Sequence, residues 1–286
     1  MEQPPSESTR DADAQRRQWD RVAAGWKTWW RTIEDAAQPV SRRMLALAAV
    51  APGQRVLDIA TGIGEPALLA ASRVGPQGRV VATDIAPAML DIARERARSL
   101  GLANVEFVQA DAARLDFPAG GFDAVLCRWG ITSLPHLHRT LVAIRRLLSD
   151  GGAFATAVWE AGAKGRPLAT LAAAVAHDVF EPSSQAPETP AMAESAAGAL
   201  EDQMRAAGFA EVRVETMTLA LEFSSIDDCM RYLADVSPDL AALLSGRSSA
   251  QQAEYRHRLG DALRRYATAD GGVSIPNVTL CAAGRK

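Results

Sequence analysis

Residues 55 to 67 read Arg-Val-Leu-Asp-Ile-Ala-Thr-Gly-Ile-Gly-Glu-Pro-Ala, and this stretch decides the fold. The apolar pair Val56-Leu57 predicts a short buried strand, and Asp58 stands near its carboxyl end. Gly62 and Gly64 follow as a turn, before apolar residues with helical character. Glycine suits such a turn because, without a Cβ, it reaches positive φ and lets a ligand approach the backbone. The N–H groups at the start of the next helix would then bind polar groups of that ligand.

The charges around the glycines favour a cationic ligand over a dinucleotide. The pattern Gly62-x-Gly64-x-x-Ala67 fits the dinucleotide fingerprint, and Asp84 lies about 20 residues further on, where a ribose-binding acid is expected. However, Asp58 and Glu65 flank the glycines, and no Lys or Arg occurs between positions 55 and 73. This arrangement repels a pyrophosphate and suits S-adenosylmethionine, which carries a sulfonium and an ammonium group.

The sequence resembles the class I S-adenosylmethionine-dependent methyltransferases through a series of motifs in the same order. It is most similar to the ubiquinone/menaquinone-biosynthesis type and to the natural-product enzymes related to it. The motifs are Val56-Leu57-Asp58-Ile59-Ala60-Thr61-Gly62-Ile63-Gly64, Asp84-Ile85-Ala86-Pro87-Ala88-Met89-Leu90, Gln109-Ala110-Asp111-Ala112, Phe122-Asp123-Ala124-Val125 and Leu147-Leu148-Ser149-Asp150-Gly151-Gly152. The resemblance covers roughly residues 40 to 160 and extends only loosely beyond them.

The bulk properties do not favour a nucleic-acid partner, and the resemblance implies a small-molecule acceptor as the partner. The 286 residues suffice for one large domain or one domain with a cap. A net charge of −3 and a pI of about 5.9 do not suit a polyanionic partner. Three widely spaced cysteines form neither a zinc pattern nor a disulfide framework, which favours a cytoplasmic location. Without an apolar signal core or a run of about 18 apolar residues, no membrane span is expected.

Alternation of strands and helices predicts an α/β fold with a parallel sheet covered on both faces. The strands after the first are expected at 79–83, 105–108, 122–127, 153–159, 212–223 and 273–283. Helices are expected at 14–33, 39–50, 87–100, 137–148, 168–180, 200–207, 226–234 and 251–266. The resemblance implies a Rossmann-like, doubly wound sheet of seven strands, with helical N-terminal and inserted cap segments and an antiparallel last strand.

Five segments are expected along the chain. They are a disordered tail (1–12), an N-terminal helical lid (13–50), an S-adenosylmethionine-binding core (51–160), a cap insertion (161–198) and a C-terminal part of the core (199–286). For residues 181–192 the alternative is a disordered loop in solvent. Both the lid and the cap are expected to close over the ligand and exclude water.

Four of the six tryptophans fall between positions 19 and 30, more than a short surface helix needs for docking. Two interpretations are open: a stripe that packs against the core, or a lid whose indole rings line the substrate pocket. The substrate-pocket candidates are Trp26, Trp30, Trp129, His136 and His177. For both histidines the alternative is a role without function: His136 would stand at the start of a helix, and His177 would face water.

The resemblance assigns the cofactor residues. Asp58 would hold the ammonium group directly or through water, or else cap a turn. Asp84 would accept the ribose hydroxyls, and Asp111 with the Ala112 amide would bind the adenine amine. Arg128 would pair with the methionine carboxylate or contribute backbone alone. The full set is Asp58, Ala60, Gly62, Gly64, Asp84, Ile85, Met89, Asp111, Ala112 and Arg128.

The predicted function is methyl transfer from S-adenosylmethionine to a carbon or oxygen of a small, largely apolar metabolite of aromatic or prenyl type, in secondary metabolism. No catalytic residue and no metal ligand set stands out. The alternative is a non-catalytic nucleotide-binding protein or an NAD-dependent oxidoreductase on the same fold. The Tyr-x-x-x-Lys pair of short-chain dehydrogenases is missing, because Tyr232, Tyr255 and Tyr266 have no lysine four residues later.

Overall fold

The computed structural model describes residues 7–131, 137–181 and 197–286, with side chains from residue 12 onward. The strands are β1 (Arg55–Ile59), β2 (Arg79–Asp84), β3 (Val105–Gln109), β4 (Phe122–Arg128), β5 (Leu148–Trp159), β6 (Ala210–Phe223) and β7 (Val273–Arg285). The helices are α1 (Glu7–Thr28), α2 (Trp30–Leu47), α3 (Ala67–Val74), α4 (Pro87–Ser99), α5 (Leu137–Leu147), α6 (Pro167–Phe180), α7 (Ala197–Ala206), α8 (Ile226–Val236), α9 (Pro238–Ser245) and α10 (Ser249–Leu263). Within these described ranges, short 3₁₀ turns span Ala112–Arg114 and Arg264–Tyr266.

The strands form one seven-stranded sheet in the order β3-β2-β1-β4-β5-β7-β6. Strands β1 to β5 are parallel, and β7 inserts antiparallel between β5 and β6. The predicted α/β class, strand number and antiparallel last strand are therefore confirmed. The strand order reverses between β1 and β4, and such a switch point leaves a crevice at the carboxyl ends of the strands.

Both faces of the sheet are covered by helices, which explains why its inner strands are almost continuously apolar. One face packs against α2 and α3 through residues such as Met44 and Val74. The other packs against α5 and α7 through residues such as Ile144 and Met204. Burial on both faces makes the sheet a rigid platform for the residues at its edge.

A further apolar cluster, separate from those on the two faces of the sheet, forms the cap, which we define as α6, α8, α9 and α10. Its interior includes Ala172, Leu233, Tyr255 and Leu259, and it rests on the outer ends of β6 and β7. The long hairpin of β6 and β7 therefore carries the cap beyond the sheet. The predicted segment 199–286 supplies two strands of the sheet, but its helices α8–α10 lie in the cap beside α6.

Several predicted element boundaries are wrong at the N-terminus. Helix α1 begins at Glu7, so the predicted disordered tail does not hold for residues 7–12, and residues 1–6 lie outside the described part. The break between the first helices falls at Trp29, and α2 continues through Pro39. Packing of Val40 and Met44 against the sheet keeps the helix intact despite the N–H that Pro39 lacks.

Helix α9 was not predicted, although its start carries a clear local signal. The Ser237 hydroxyl accepts the Leu240 N–H, and Pro238 occupies the first helical position. Residues 182–196, which include most of the predicted 181–192 loop, lie outside the described part. Within the described ranges, no helix has both the length and the hydropathy that a membrane span requires.

Candidate functional site

A cavity of about 640 Å³ lies between the carboxyl edge of the sheet and the cap. Its sheet-edge half is bordered by Ala60, Thr61, Gly62, Ile63, Glu65, Asp84, Ile85, Met89, Ala110, Asp111, Ala112, Arg128 and Gly130. Its cap half is bordered by Trp129, Trp159, Arg166, Leu168, Ala169, Leu219, Leu221, Tyr232, Leu233, Val236, Ser237, Pro238, Asp239 and Asn277. From α1 and α2, Gln15, Gln18, Trp19, Trp26 and Ile33 complete the wall. The cavity therefore brings together the predicted cofactor edge and a mostly apolar cap.

The two glycines of the turn have different roles. Gly62 borders the cavity at a φ of +55°, and a Cβ at this position would meet nothing within 4 Å. Gly64 has a φ of +109°, and its Cβ would lie 2.9 Å from Leu68 Cδ1 and 3.2 Å from Ala93 Cβ. The absence of a Cβ at Gly64 thus allows the close packing of α3 and α4, and Gly64 does not border the cavity. Gly62 leaves room for a ligand against the backbone.

Asp84 is the acid at the end of β2, and its side chain holds the glycine turn. Its Oδ2 accepts the Gly62 N–H at 2.8 Å, and its Oδ1 accepts the Ala86 N–H at 2.9 Å. Burial raises the pKa of Asp84, and these N–H groups oppose that shift. Each carboxylate oxygen accepts more than one bond, so Asp84 can still accept from a ligand in the cavity.

Asp58 lies beneath the cavity wall and is fully buried. Its Oδ2 accepts the Ala67 N–H at the start of α3 at 3.1 Å, which is the capping role considered for this residue. Its Oδ1, beside the Thr61 hydroxyl, has no hydrogen-bond partner of acceptable geometry among the described residues. Burial raises the pKa of Asp58 to about 7, against the opposing effect of Thr61 and Arg128. Contact with an ammonium group would have to pass through Thr61 or water.

A buried ion pair joins α2 to the end of β4. Arg128 Nη1 and Nη2 donate to the two Glu34 oxygens at 2.9 and 2.6 Å, and Nη1 also donates to the Ser41 hydroxyl at 2.8 Å. Burial acts to lower the pKa of Arg128, but the charges of Glu34, Glu65 and Asp58 outweigh it and raise that pKa. The sequence predicted that Arg128 either pairs with the carboxylate of the ligand or contributes only its backbone. Neither alternative included Glu34 as the partner of the guanidinium group. The sequence could not show it because Glu34 is 94 residues away.

Glu65 borders the same half of the cavity and is 7% exposed. Its Oε1 lies 3.3 Å from Arg96 Nη2, and its Oε2 accepts the Leu69 N–H at 3.4 Å. Burial raises the pKa of Glu65 to about 7, and the nearby Glu34 adds to this shift. Glu65 was absent from the predicted set, although its position beside the glycines was the signal that could have included it.

The other predicted cofactor residues also border the cavity: Ala60, Ile85, Met89, Asp111 and Ala112. Asp111 follows β3, and its Oδ1 accepts the Ala113 N–H at 2.8 Å, which orients its carboxylate. The carboxyl ends of β1, β2 and β3 thus bring three acidic residues to one edge, as the parallel arrangement predicts.

Two stacked indole rings form a flat wall of the cap half. Trp129 and Trp159 have ring centroids 4.3 Å apart and an interplanar angle of 9°. Trp129 Nε1 donates to the Thr279 hydroxyl at 3.0 Å, and Trp129 has a φ of +61°. Trp159, Tyr232, Arg166 and Asn277 also border the cap half and were not predicted. Their positions result from the folding of distant segments onto one another.

Of the N-terminal tryptophans, some line the cavity and others pack against neighbouring residues. Trp19 and Trp26 border the cavity, and Trp26 Nε1 donates to the Val236 carbonyl at 3.1 Å. Trp29 packs on Tyr232 and donates to Asp235 at 2.8 Å. Trp30 does not border the cavity, and its ring centroid instead lies 4.8 Å from the Arg96 guanidinium carbon. Trp30 is therefore a packing residue.

Only one of the two histidine candidates falls in the described part of the chain. His136 lies outside the described residues. The His177 ring lies 3.4 Å from Asp178 and does not border the cavity, because it belongs to the part of α6 beyond the wall. Among the described residues, no cluster of His, Cys, Asp or Glu has the arrangement of a metal site.

The contact between α1 and α8 gives a test of whether α1 closes the cavity. A Cβ on Gly25 would lie 2.1 Å from the Asp235 carbonyl oxygen, so Gly25→Val should force α1 away from α8. We expect a loss of stability of about 1–3 kcal/mol, typical of overpacking, and faster hydrogen exchange across α1. Gly198→Val, where a Cβ would meet nothing within 4 Å, is the matched control. Unchanged exchange in α1 would contradict close docking on α8.

Comparison with known proteins places residues 56–152 in a family described as a methyltransferase domain. The chain is similar to the ubiquinone/menaquinone biosynthesis C-methyltransferase UbiE of Ectopseudomonas mendocina, with 43% identity over 128 residues, which cover 44% of this chain and 49% of that protein. The chain thus spans about half the length of this curated relative. The predicted resemblance to class I, S-adenosylmethionine-dependent methyltransferases of the ubiquinone-biosynthesis type is confirmed.

Solved structures of the same fold cover more of the chain at lower identity. A putative methyltransferase from Bacillus halodurans aligns with a TM-score of 0.54 and 21% identity over 86% of this chain and 98% of that one. The (4+2)-cyclase SpnF aligns with a TM-score of 0.54 and 21% identity over 88% of this chain and 81% of that one. Since one of the proteins with this fold is a cyclase, the fold alone does not specify the reaction.

Proposed function

We propose that this chain, whose residues 56–152 match a family described as a methyltransferase domain, transfers a methyl group from S-adenosylmethionine to a carbon or oxygen of a small, largely apolar acceptor. The observation that carries the proposal is the cavity between the cofactor edge and the aromatic cap. One half offers acidic residues and an open glycine turn, and the other offers apolar walls with few polar groups.

The sheet-edge half fits the cofactor. Asp84, already oriented by two N–H groups, would accept the ribose hydroxyls, while Asp111 and the Ala112 N–H would bind the adenine. Gly62 leaves space for the ligand beside the backbone. Glu65 and the deeper Asp58 would make this half favourable for a cation. Arg128 would serve mainly to hold α2 against this half, since Glu34 already occupies its guanidinium group.

The cap half supports a positioning role for the protein. S-adenosylmethionine supplies an electrophilic methyl group on a sulfonium centre, whose positive charge is lost on transfer. Trp129, Trp159 and Leu221 would exclude water, and a dry cavity favours the loss of charge. Alignment of the acceptor against the methyl group can contribute several kcal/mol. The described wall of this half contains no histidine, so the residues here would orient the acceptor more than they would deprotonate it.

The test is incubation of the full chain with S-adenosylmethionine carrying an isotopically labelled methyl group and a panel of phenols, hydroxyquinones and prenylated rings. We expect a labelled product by mass spectrometry, and calorimetric binding of S-adenosylmethionine without comparable binding of NAD. Binding of NAD alone would support the oxidoreductase alternative. Cofactor binding with no methyl transfer to any compound of the panel would support a non-catalytic binder.

The affinity for S-adenosylmethionine should rise between pH 5.5 and 7. The pKa values of Asp58 and Glu65 are both raised to about 7, so both are largely neutral at pH 5.5. A cation favours their ionised forms, so binding releases protons and strengthens by up to about tenfold per pH unit for each coupled group. The ligand's ammonium group, with an ordinary pKa of about 8, keeps its charge throughout this range.

Calorimetry in buffers of different ionisation enthalpy would measure this proton release. Asp58→Asn and Glu65→Gln should each reduce the slope, whereas Asp91→Asn, on the exposed face of α4, should not. A flat pH profile in the unmodified chain would show that neither carboxylate is coupled to the cation.

A further inference from the structure

We propose that Arg166 binds an anionic oxygen of the acceptor, either a carboxylate or a phenolate, in the cap half of the cavity. This inference rests on the proposed function, because it assigns the cap half to the acceptor. The apolar walls alone would favour a neutral acceptor, whereas Arg166 would favour an acceptor that carries a negative charge.

A tight turn fixes the position of Arg166 between β5 and α6. The Lys164 carbonyl accepts the Val278 N–H at 3.0 Å, and the Glu160 N–H donates to the Val278 carbonyl at 3.1 Å. A Cβ on Gly165 would lie 1.9 Å from the Glu160 carbonyl oxygen, so the chain folds back closely on itself at this point. The turn is thus tied to β7, and Arg166 projects to the cavity wall from a rigid support.

The charges of the wall are segregated between its two halves. The sheet-edge half contains Glu65, Asp84 and Asp111, and its one arginine, Arg128, is paired with Glu34. The cap half contains Arg166 and Asp239, and Asp239 is solvent-exposed at the start of α9. Acidic residues therefore gather where a cationic cofactor would lie, and a buried guanidinium nitrogen, Nε of Arg166, lies on the opposite side.

Arg166 has the chemistry to accept a new anionic partner beside its present contacts. A guanidinium group carries five N–H donors in a planar fork, and it matches the two oxygens of a carboxylate. Burial raises the pKa of Tyr232 well above its ordinary value, and the charge of Arg166 opposes that shift, so the two groups lie within electrostatic reach. Tyr232 remains protonated at neutral pH and can donate to the same anionic oxygen.

Titration of two isosteric probes into the full chain saturated with S-adenosylhomocysteine tests the proposal. The probes are 2-naphthoate and the uncharged 2-naphthamide, and calorimetry at low ionic strength measures both. We expect 2-naphthoate to bind about 10- to 100-fold more tightly, the range typical of a hydrogen-bonded charge. Arg166→Met should abolish this preference, and Arg166→Lys should keep part of it.

Lys164→Met is the matched control. It also removes one positive charge, two residues before Arg166, but the Lys164 side chain is exposed and does not border the cavity. The preference should survive in Lys164→Met. A second probe, 4-nitrophenol, distinguishes a phenolate from a carboxylate partner, because its ionised form has its own visible absorbance. If Arg166 binds a phenolate, the pKa of bound 4-nitrophenol should fall, and Arg166→Met should reverse that fall.

Equal affinity for the two naphthyl probes, no binding of 2-naphthoate, or an unchanged preference in Arg166→Met would each overturn the proposal. Circular dichroism of the two Arg166 variants separates loss of anion binding from loss of folding. S-adenosylhomocysteine is titrated into the chain before the probes are added, and absence of binding in that step would show separately that the proposed function fails. The probe titrations can still be made without that ligand.

Discussion

Replacing Glu34 by leucine is expected to lower the free energy of unfolding by roughly 3–5 kcal/mol, because it strands the buried guanidinium group of Arg128. Arg128 donates to both Glu34 oxygens and to Ser41, and its side chain is 5% exposed. Urea denaturation of the full chain would measure the loss. The same variant should loosen α2 from the sheet edge and increase hydrogen exchange there, since the ion pair joins the two.

An ion pair at the surface provides a comparison for how burial affects the loss in free energy of unfolding. Arg43 also donates two hydrogen bonds to one carboxylate, from Nε and Nη2 to Glu215, but the two side chains are 41% and 37% exposed. Arg43→Met should therefore cost at most about 1 kcal/mol. The double variant Glu34→Leu/Arg128→Met should recover much of the loss, because it removes both buried charges. A loss below that of Arg43→Met in the single Glu34 variant would refute this account of the buried pair.

Asp84→Ala should weaken S-adenosylhomocysteine binding by at least about 100-fold, since two charge-assisted hydrogen bonds of roughly 1.5–3 kcal/mol each would be lost. The change also leaves the N–H groups of Gly62 and Ala86 without their acceptors, so the glycine turn itself would relax. Calorimetry would give the affinity, and circular dichroism would show that the sheet is intact.

Asp84→Asn separates the two effects. Its amide oxygen can still accept one of the N–H groups, so the turn should hold while the charge is lost, with an intermediate loss of about tenfold. Asp91→Asn changes an acid on α4 whose side chain is 76% exposed, and it should bind the ligand normally. An Asp84→Ala variant with unchanged affinity would mean that the ribose hydroxyls bind elsewhere.

Elements defined by local pattern were predicted well. The strands β1 to β4 and the helix α4 follow from apolar runs, glycine turns and proline at a helix start, and each lies within a few residues of its predicted position. The end of β5 at Trp159 was also predicted, but the strand begins five residues before its predicted start, at Leu148. The segment around Trp29 and Pro39 was predicted less well, because packing of α2 on the sheet decides where that helix begins and ends. The missed helix α9 shows that a short helix with a local cap is easily taken for a loop.

The amino-acid sequence by itself determined that three acidic residues meet at one edge of the sheet. Asp58, Asp84 and Asp111 come at or just after successive strands, and parallel strands connected in one hand bring those ends to the same side. That inference needs only neighbours along the chain and a general rule of connection. It therefore holds without knowledge of how the remaining segments pack.

Only the tertiary structure decided which residues share the cap half and which charges are paired. One cavity is bordered by Trp26 from α1, Tyr232 from α8 and Arg166 from the turn before α6. Glu34 meets Arg128 because α2 packs across the end of β4. Such contacts depend on how buried surfaces fit together over long separations in the chain, and no local periodicity encodes them, because each helix face could be covered by several different partners.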